Sequence, residues 1–138
     1  MTQFPVRGCQ IVTPRIHSDQ RGSLIALEPA TGVPFEIKRT FFIYGTPEGI
    51  ERGFHAHRTA EQLLVCVAGG CTVTLDNGVE RAEVRLDDPS TAVAAGPLIW
   101  TEIRNFTPDA VLLVLASAPY EESDYVHDYG RFRELVDA

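Results

Sequence analysis

His55 and His57, two of the chain's four histidines, stand at i and i+2 in the stretch Glu51-Arg52-Gly53-Phe54-His55-Ala56-His57-Arg58-Thr59-Ala60-Glu61-Gln62. On an extended strand, side chains two apart point to the same face, so both imidazoles would share one pocket. Histidine titrates nearest neutrality, and a pair of them suits chemistry in which one atom loses a proton and another gains one. Arg52, an always-charged fork, is a plausible ligand for a diphosphate. Its spacing of three from His55 leaves open which face it takes. Glu61 and Gln62 read as a buried polar pair that orients the imidazoles.

A strand under such a pair fits the rest of the chain, which reads as short strands punctuated by turns. Gln10-Ile11-Val12 leads into polar Ser18-Asp19-Gln20-Arg21-Gly22, and Ser23-Leu24-Ile25-Ala26-Leu27 reads as a strand closed by Pro29. The run 38–44 has the aromatic and β-branched content of a strand and is broken by Gly45-Thr46-Pro47-Glu48-Gly49. The run 62–67 is apolar without alternation, as in a strand covered on both faces. Residues 71–75 alternate, Asp76-Asn77-Gly78 supplies a tight hairpin turn, and 79–86 returns with Ala82, Val84 and Leu86 on one face. Further strands are expected around 91–94, 98–106 and 111–116. Phe132, Leu135 and Val136 have the spacing of a short C-terminal helix. Roughly ten strands with no helix between them form the pattern of an all-β antiparallel sandwich or barrel of jelly-roll type.

At 138 residues the chain is expected to form one domain over 1–138. A hydrophobic share of 44% with 22% charged residues is that of a folded soluble protein, and no apolar run approaches a membrane span. The N-terminus lacks the apolar core of a signal peptide, so a cytoplasmic location is the expectation. Cys9, Cys66 and Cys71, without CxxC spacing, read as reduced core residues. A net charge of −7 argues against nucleic acid, whose phosphates are bound by clustered Lys and Arg. An anionic ligand would have to be held by a few local arginines, of which Arg21, Arg39, Arg52 and Arg104 are candidates along with Lys38. For Arg21 and Arg39 a surface ion pair competes with that role.

Gly49, five residues, His55-Ala56-His57, three residues, Glu61, seven residues, Gly69 is similar to the first signature of the cupin barrels. The run 96–105 resembles the second, keeping Asn105 and placing Thr101 where the last histidine would stand. The usual cupin metal set is therefore one imidazole short. Arg52-Gly53-Phe54-His55-Ala56-His57-Arg58, Glu61-Gln62-Leu63-Leu64-Val65, Gly96-Pro97-Leu98-Ile99-Trp100, Val111-Leu112-Leu113-Val114-Leu115-Ala116-Ser117 and Tyr120-Glu121-Glu122-Ser123-Asp124-Tyr125 resemble the sugar 3,4-ketoisomerases, a WxcM-like cupin family acting on dTDP-4-keto-6-deoxyglucose. The resemblance runs from about Arg21 to Phe132.

It implies an isomerase without metal or other cofactor, working as a homodimer on a dTDP-linked 4-keto-6-deoxy sugar, on the path to 3-amino-3,6-dideoxy sugars. By the same resemblance His55 and His57 handle the protons. Tyr44 and Trp100 suit stacking on thymine or lining the sugar site. The family usually has His or Arg after the tryptophan, helping to set stereochemistry at C4. Thr101 offers only a hydroxyl there, and Arg21, reaching in from another strand, is a candidate to share that role. His17 and His127, in polar surroundings, are expected at the surface, and Phe41 and Phe42 in the core. Two other function classes fit the residues: a metal cupin of dioxygenase type built on His55, His57 and Glu61, and a non-catalytic sugar-binding cupin. A nucleotide-sugar epimerase is a nearer neighbour of the isomerase.

Overall fold

Turn residues cut the chain into strands short enough to close a two-sheet sandwich. The computed structural model describes residues 2–137, with strands β1 (Thr2–Gln3), β2 (Cys9–Val12), β3 (His17–Asp19), β4 (Gly22–Leu24), β5 (Arg39–Tyr44), β6 (Arg52–His57) and β7 (Gln62–Ala68). There follow β8 (Cys71–Asp76), β9 (Arg81–Leu86), β10 (Ala92–Ala95), β11 (Trp100–Arg104), β12 (Val111–Ala116) and β13 (Tyr125–Val126), then one helix, α1 (Tyr129–Asp137). A six-stranded sheet, β1-β2-β10-β7-β12-β5, faces a five-stranded one, β13-β6-β11-β8-β9, and every pairing is antiparallel. This is the expected jelly roll with its C-terminal helix.

The inner faces of the two sheets enclose the main core, in which Leu64, Cys66, Val73, Leu75, Val93, Ile103, Leu112 and Val114 are buried. A second cluster covers the outer face of the larger sheet. There Leu63, Val65, Ala94 and Leu115 pack under Leu27, Val33, Phe35 and Ile37. This explains why 23–27 does not form the strand expected of it. The strand stops at Leu24, and the chain beyond turns its apolar residues down onto the sheet as a cover instead of pairing at an edge. A third cluster seats α1: Phe132 is fully buried with Ala56, Trp100 and Val126 on the outer face of the smaller sheet.

Two further expectations shift. The β8–β9 connection is a four-residue loop, 77–80, because Asp76 pairs with Arg81. The Asn77 side-chain oxygen accepts from the Val79 and Glu80 N–H groups, closing the loop around Gly78 at φ 94°. Phe41 packs on the core, but Phe42 is exposed, since β5 is an edge strand and Phe42 faces away from the sandwich. Cys9, Cys66 and Cys71 are free and buried. Among the described residues no helix is long and apolar enough to cross a membrane.

Candidate active site

The β6–β11 pairing explains how the histidines are aimed. Thr101 pairs with His55 and Ile103 with Arg52, yet Glu102 between them pairs with Gly53, so β6 carries one extra residue, Phe54. Gly53 at φ 87° and Phe54 at φ 58° form this bulge, a device that re-aims side chains within a ladder. Ile103 faces the core, and Thr101 shares its face of β11. Their partners Arg52 and His55 therefore face inward together, although three residues separate them. The bulge thus settles the orientation of Arg52 that spacing leaves open. Only glycine suits its first position, because a Cβ on Gly53 would lie 2.7 Å from the Thr101 carbonyl oxygen.

Past the bulge the strand resumes its alternation, and the imidazoles of His55 and His57 lie edge to face with centroids 5.2 Å apart. The Nδ1 of His55 lies 3.1 Å from the Gly53 carbonyl. It must donate there, which leaves Nε2 as the basic nitrogen. His57 is buried, its Nδ1 is 3.4 Å from an Asp124 carboxylate oxygen, and its Nε2 has no partner within the protein. Burial would raise the Asp124 pKa, but hydrogen bonds from the Thr59 hydroxyl and the backbone N–H groups of Ala60 and Thr59 outweigh it and hold the carboxyl below its ordinary range. An ionised carboxylate therefore steadies His57.

Both histidines are kept neutral. Burial lowers the pKa of His55, with the Gly53 hydrogen bond opposing and His127 adding a further lowering. Burial, then the neighbouring His55, pushes His57 down to about 4 against the pull of Asp124. Two neutral imidazoles, each with a ring nitrogen uncommitted or unpaired, are proton acceptors.

Across the sandwich, the matching end of the larger sheet is unusually small and polar. Arg39 pairs with Ala116, Ala116 with Gln62, and Gln62 with Ala95. This row faces inward, on the side of Val114, Leu64 and Val93. In this row Ala116 stands between Arg39 and Gln62, and Ala95 lies beyond Gln62, so small side chains alternate with the two polar ones. Arg39 donates to the Tyr125 hydroxyl and lies over the rings of Phe41 and Tyr120, so it is bound into the site and makes no ion pair among the described residues. The Tyr125 ring is 4.4 Å from His57 and 5.1 Å from His55.

Of the residues singled out from sequence, His55, His57, Arg52, Thr101, Arg39 and Gln62 lie by register on the inward sides of their strands, with Arg52 exposed at the start of β6. Others do not. Trp100 faces outward on β11, against Tyr129 and Phe132 of α1, with its indole N–H donating to Glu102. Tyr44 is 71% exposed on the outer face of β5, beside Phe42. Arg21 sits at the turn of the exposed β3–β4 hairpin, paired with Asp19. Arg104 is drawn into an outer-face network with Glu51 and Glu102. Glu61 lines a separate hollow with Cys9, Gln10, Pro34 and Ala94. Neither Glu61 nor Gln62 hydrogen-bonds an imidazole; orientation comes from Asp124 and the Gly53 carbonyl. Among the described residues no three His, Cys, Asp or Glu side chains converge as a metal would require, and the set His55, His57 and Glu61 does not assemble.

In the sequence the run 120–125 serves only as a mark of the family resemblance and His127 as a surface residue, and no site role is read from either. Asp124, Tyr125 and His127 close the site, and His127 is not merely a surface residue. It stacks on Tyr125 at 8° and lies 6.0 Å from His55, with Nε2 3.0 Å from Glu122. The signal was available: Tyr125 and His127 repeat the i, i+2 spacing of His55 and His57.

Residues 7–137 match the family described as "FdtA: WxcM-like, C-terminal". The TDP-4-oxo-6-deoxy-alpha-D-glucose-3,4-oxoisomerase of Aneurinibacillus thermoaerophilus is 44% identical over 118 residues, 86% of this chain and 85% of that protein. A 3,4-ketoisomerase of Helicobacter canadensis superposes with a TM-score of 0.90 at 41% identity, covering 94% of this chain and 98% of its own. A Thermoanaerobacterium thermosaccharolyticum 3,4-ketoisomerase variant, solved in complex with TDP-4-keto-6-deoxyglucose, superposes at 0.91 with 32% identity, over 96% of each chain. The likeness spans both sheets and the segment 120–127 that closes the histidine pocket, and on it the chain belongs to the WxcM-like, C-terminal family.

Proposed function

We propose that the protein is a sugar-nucleotide 3,4-ketoisomerase, converting dTDP-4-keto-6-deoxyglucose to a dTDP-3-keto-6-deoxyhexose on the way to 3-amino-3,6-dideoxy sugars. The observation that carries this reading is the pair of neutral, inward-facing imidazoles 5.2 Å apart. One of the relatives above is named for isomerising this sugar nucleotide, and another was solved with it bound. In a 4-keto sugar the carbonyl acidifies the C3 hydrogen. One imidazole takes that proton while O4 gains one, giving an enediol; C4 then gains a proton and O3 loses one, leaving the ketone at C3. No electron leaves the sugar, so acid–base groups suffice.

The other residues take places that suit this step. Arg52 and Arg39 supply inward-facing cations in a chain of net charge −7, for the diphosphate and for sugar oxygens. The buried hydroxyl of Thr101, opposite His55, reaches the sugar side. Trp100 supports β11 from behind and leaves base stacking to the aromatic wall of Tyr120 and Tyr125. The molecule works as a homodimer. The β3–β4 hairpin makes no sizeable packing contact with either large sheet, and Ile16, Leu24, Phe42 and Tyr44 are exposed. A second copy would cover these residues and give Arg21 a site to reach.

The test is a proton NMR time course of chelator-treated protein with dTDP-4-keto-6-deoxyglucose in deuterated buffer. A 3-keto product carrying deuterium at C4 supports the isomerase. Turnover only after iron or manganese is restored would sink it. Retention of the 4-ketone with exchange next to it would indicate an epimerase instead.

A further inference from the structure

His127 stands beside the proton-handling pair without a part in the enediol step itself. Its ring is 6.0 Å from that of His55, its side chain is 60% exposed, and its Nε2 lies 3.0 Å from a Glu122 carboxylate oxygen. The second oxygen of that carboxylate accepts the Tyr120 hydroxyl at 2.6 Å. The ring lies flat on Tyr125, which itself packs on both buried histidines. His127 is therefore held, not loose, between a half-buried base and solvent.

The reaction creates a need for such a group. Once a base has taken the C3 proton it is an imidazolium inside the sandwich. If it delivers that proton to C4 itself, nothing need leave. If a second group protonates C4, each turnover ends with one group carrying a proton too many and another lacking one. Both must be reset by exchange with water before the next cycle. His57 is sealed, with an unpartnered nitrogen and little exposure, so exchange has to pass through His55.

We infer that His127, held by Glu122 and stacked on Tyr125, is the proton shuttle that connects His55 to solvent. This rests on the isomerase reading. The step is a transfer from the Nε2–H of the His55 imidazolium, directly or across one water, to the free ring nitrogen of His127. The carboxylate of Glu122 stabilises the resulting imidazolium. The proton then passes to water or buffer, and His127 returns neutral. Glu122 is held below the ordinary carboxylate range by the Tyr120 hydroxyl and then by His127, so it is ionised for this purpose.

His127→Phe keeps a flat ring on Tyr125 and removes the proton-carrying nitrogens. Wild type and variant are compared in deuterated buffer, with buffer concentration and added imidazole varied. The expected result is either a roughly tenfold or larger fall in kcat that added imidazole restores, or protium carried from C3 to C4 where the wild type incorporates deuterium. Glu122→Gln should show the same signature more weakly. A folded His127→Phe protein with wild-type kcat and deuterium content overturns the shuttle. So does a fall in kcat that imidazole does not restore and that leaves the isotope content unchanged, since that is the mark of a structural role. If wild type itself gives no 3-keto product, the isomerase reading fails and not merely the shuttle.

Discussion

At the scale of single residues, environment gives two identical side chains different tasks. His55 spends Nδ1 on the Gly53 carbonyl and keeps Nε2 for chemistry, while His57 leans on Asp124 with its Nε2 sealed in the interior. His55→Asn and His57→Asn should each lower kcat at least about a hundredfold with substrate binding largely kept, measured by turnover and calorimetric titration. Asp124→Asn should cost about ten- to a hundredfold in kcat, the usual effect of losing a carboxylate that orients a working imidazole. In the proposed mechanism the neutral imidazole is the working base, and burial lowers both pKa values from 6.5. A kcat/KM profile should accordingly stay flat down through neutrality and fall only below about pH 6.5. A midpoint at or above the ordinary imidazole value would contradict this account of the site.

At the scale of elements, the site depends on one extra residue in β6 and on a helix packed against the outer face of the smaller sheet. Gly53→Ala forces a side chain into a left-handed conformation and against the backbone of β11. It should destabilise the fold by more than about 1 kcal/mol and lower turnover more than tenfold, because relaxing the bulge turns either Arg52 or His55 away from the pocket. Urea melts and kinetics on one preparation test both effects. Phe132 is fully buried between Ala56 of β6, Trp100 of β11 and Val126 of β13, three strands that carry the site. Phe132→Ala should cost about 3–5 kcal/mol, read as a lower urea midpoint.

At the scale of the whole molecule, the buried histidine couples stability to pH. The His57 pKa falls from 6.5 unfolded to about 4 folded, so protons bind the unfolded chain more readily between those values. Its contribution is fully present above about pH 6.5 and is lost as pH falls toward 4, a change on the order of 3 kcal/mol. Denaturation midpoints at pH 7 and pH 5 should differ by more in wild type than in His57→Asn. The proposed homodimer is tested by sedimentation. Wild type should sediment at twice the chain mass, and Phe42→Glu, which alters an exposed residue outside the core, should shift it toward the monomer.

Sequence alone determined the all-β class, the β8–β9 hairpin, the buried run of β7, the terminal helix and the pairing of two imidazoles on one face. Each of these follows from alternation or spacing along a single segment, which is a local property. Tertiary structure decided what local spacing leaves open. A bulge, formed only because β6 and β11 fall out of step, turned Arg52 inward. The outward faces of β11 and β5 took Trp100 and Tyr44 away from the histidines, since which face of a strand meets the interior depends on its partners. The supporting carboxylate proved to be Asp124, 67 positions from His57, and not the adjacent Glu61, because β13 folds back beside β6. His127 lies next to His55 for the same reason: two segments with the same i, i+2 spacing were brought edge to edge, a contact that no reading of either one alone contains.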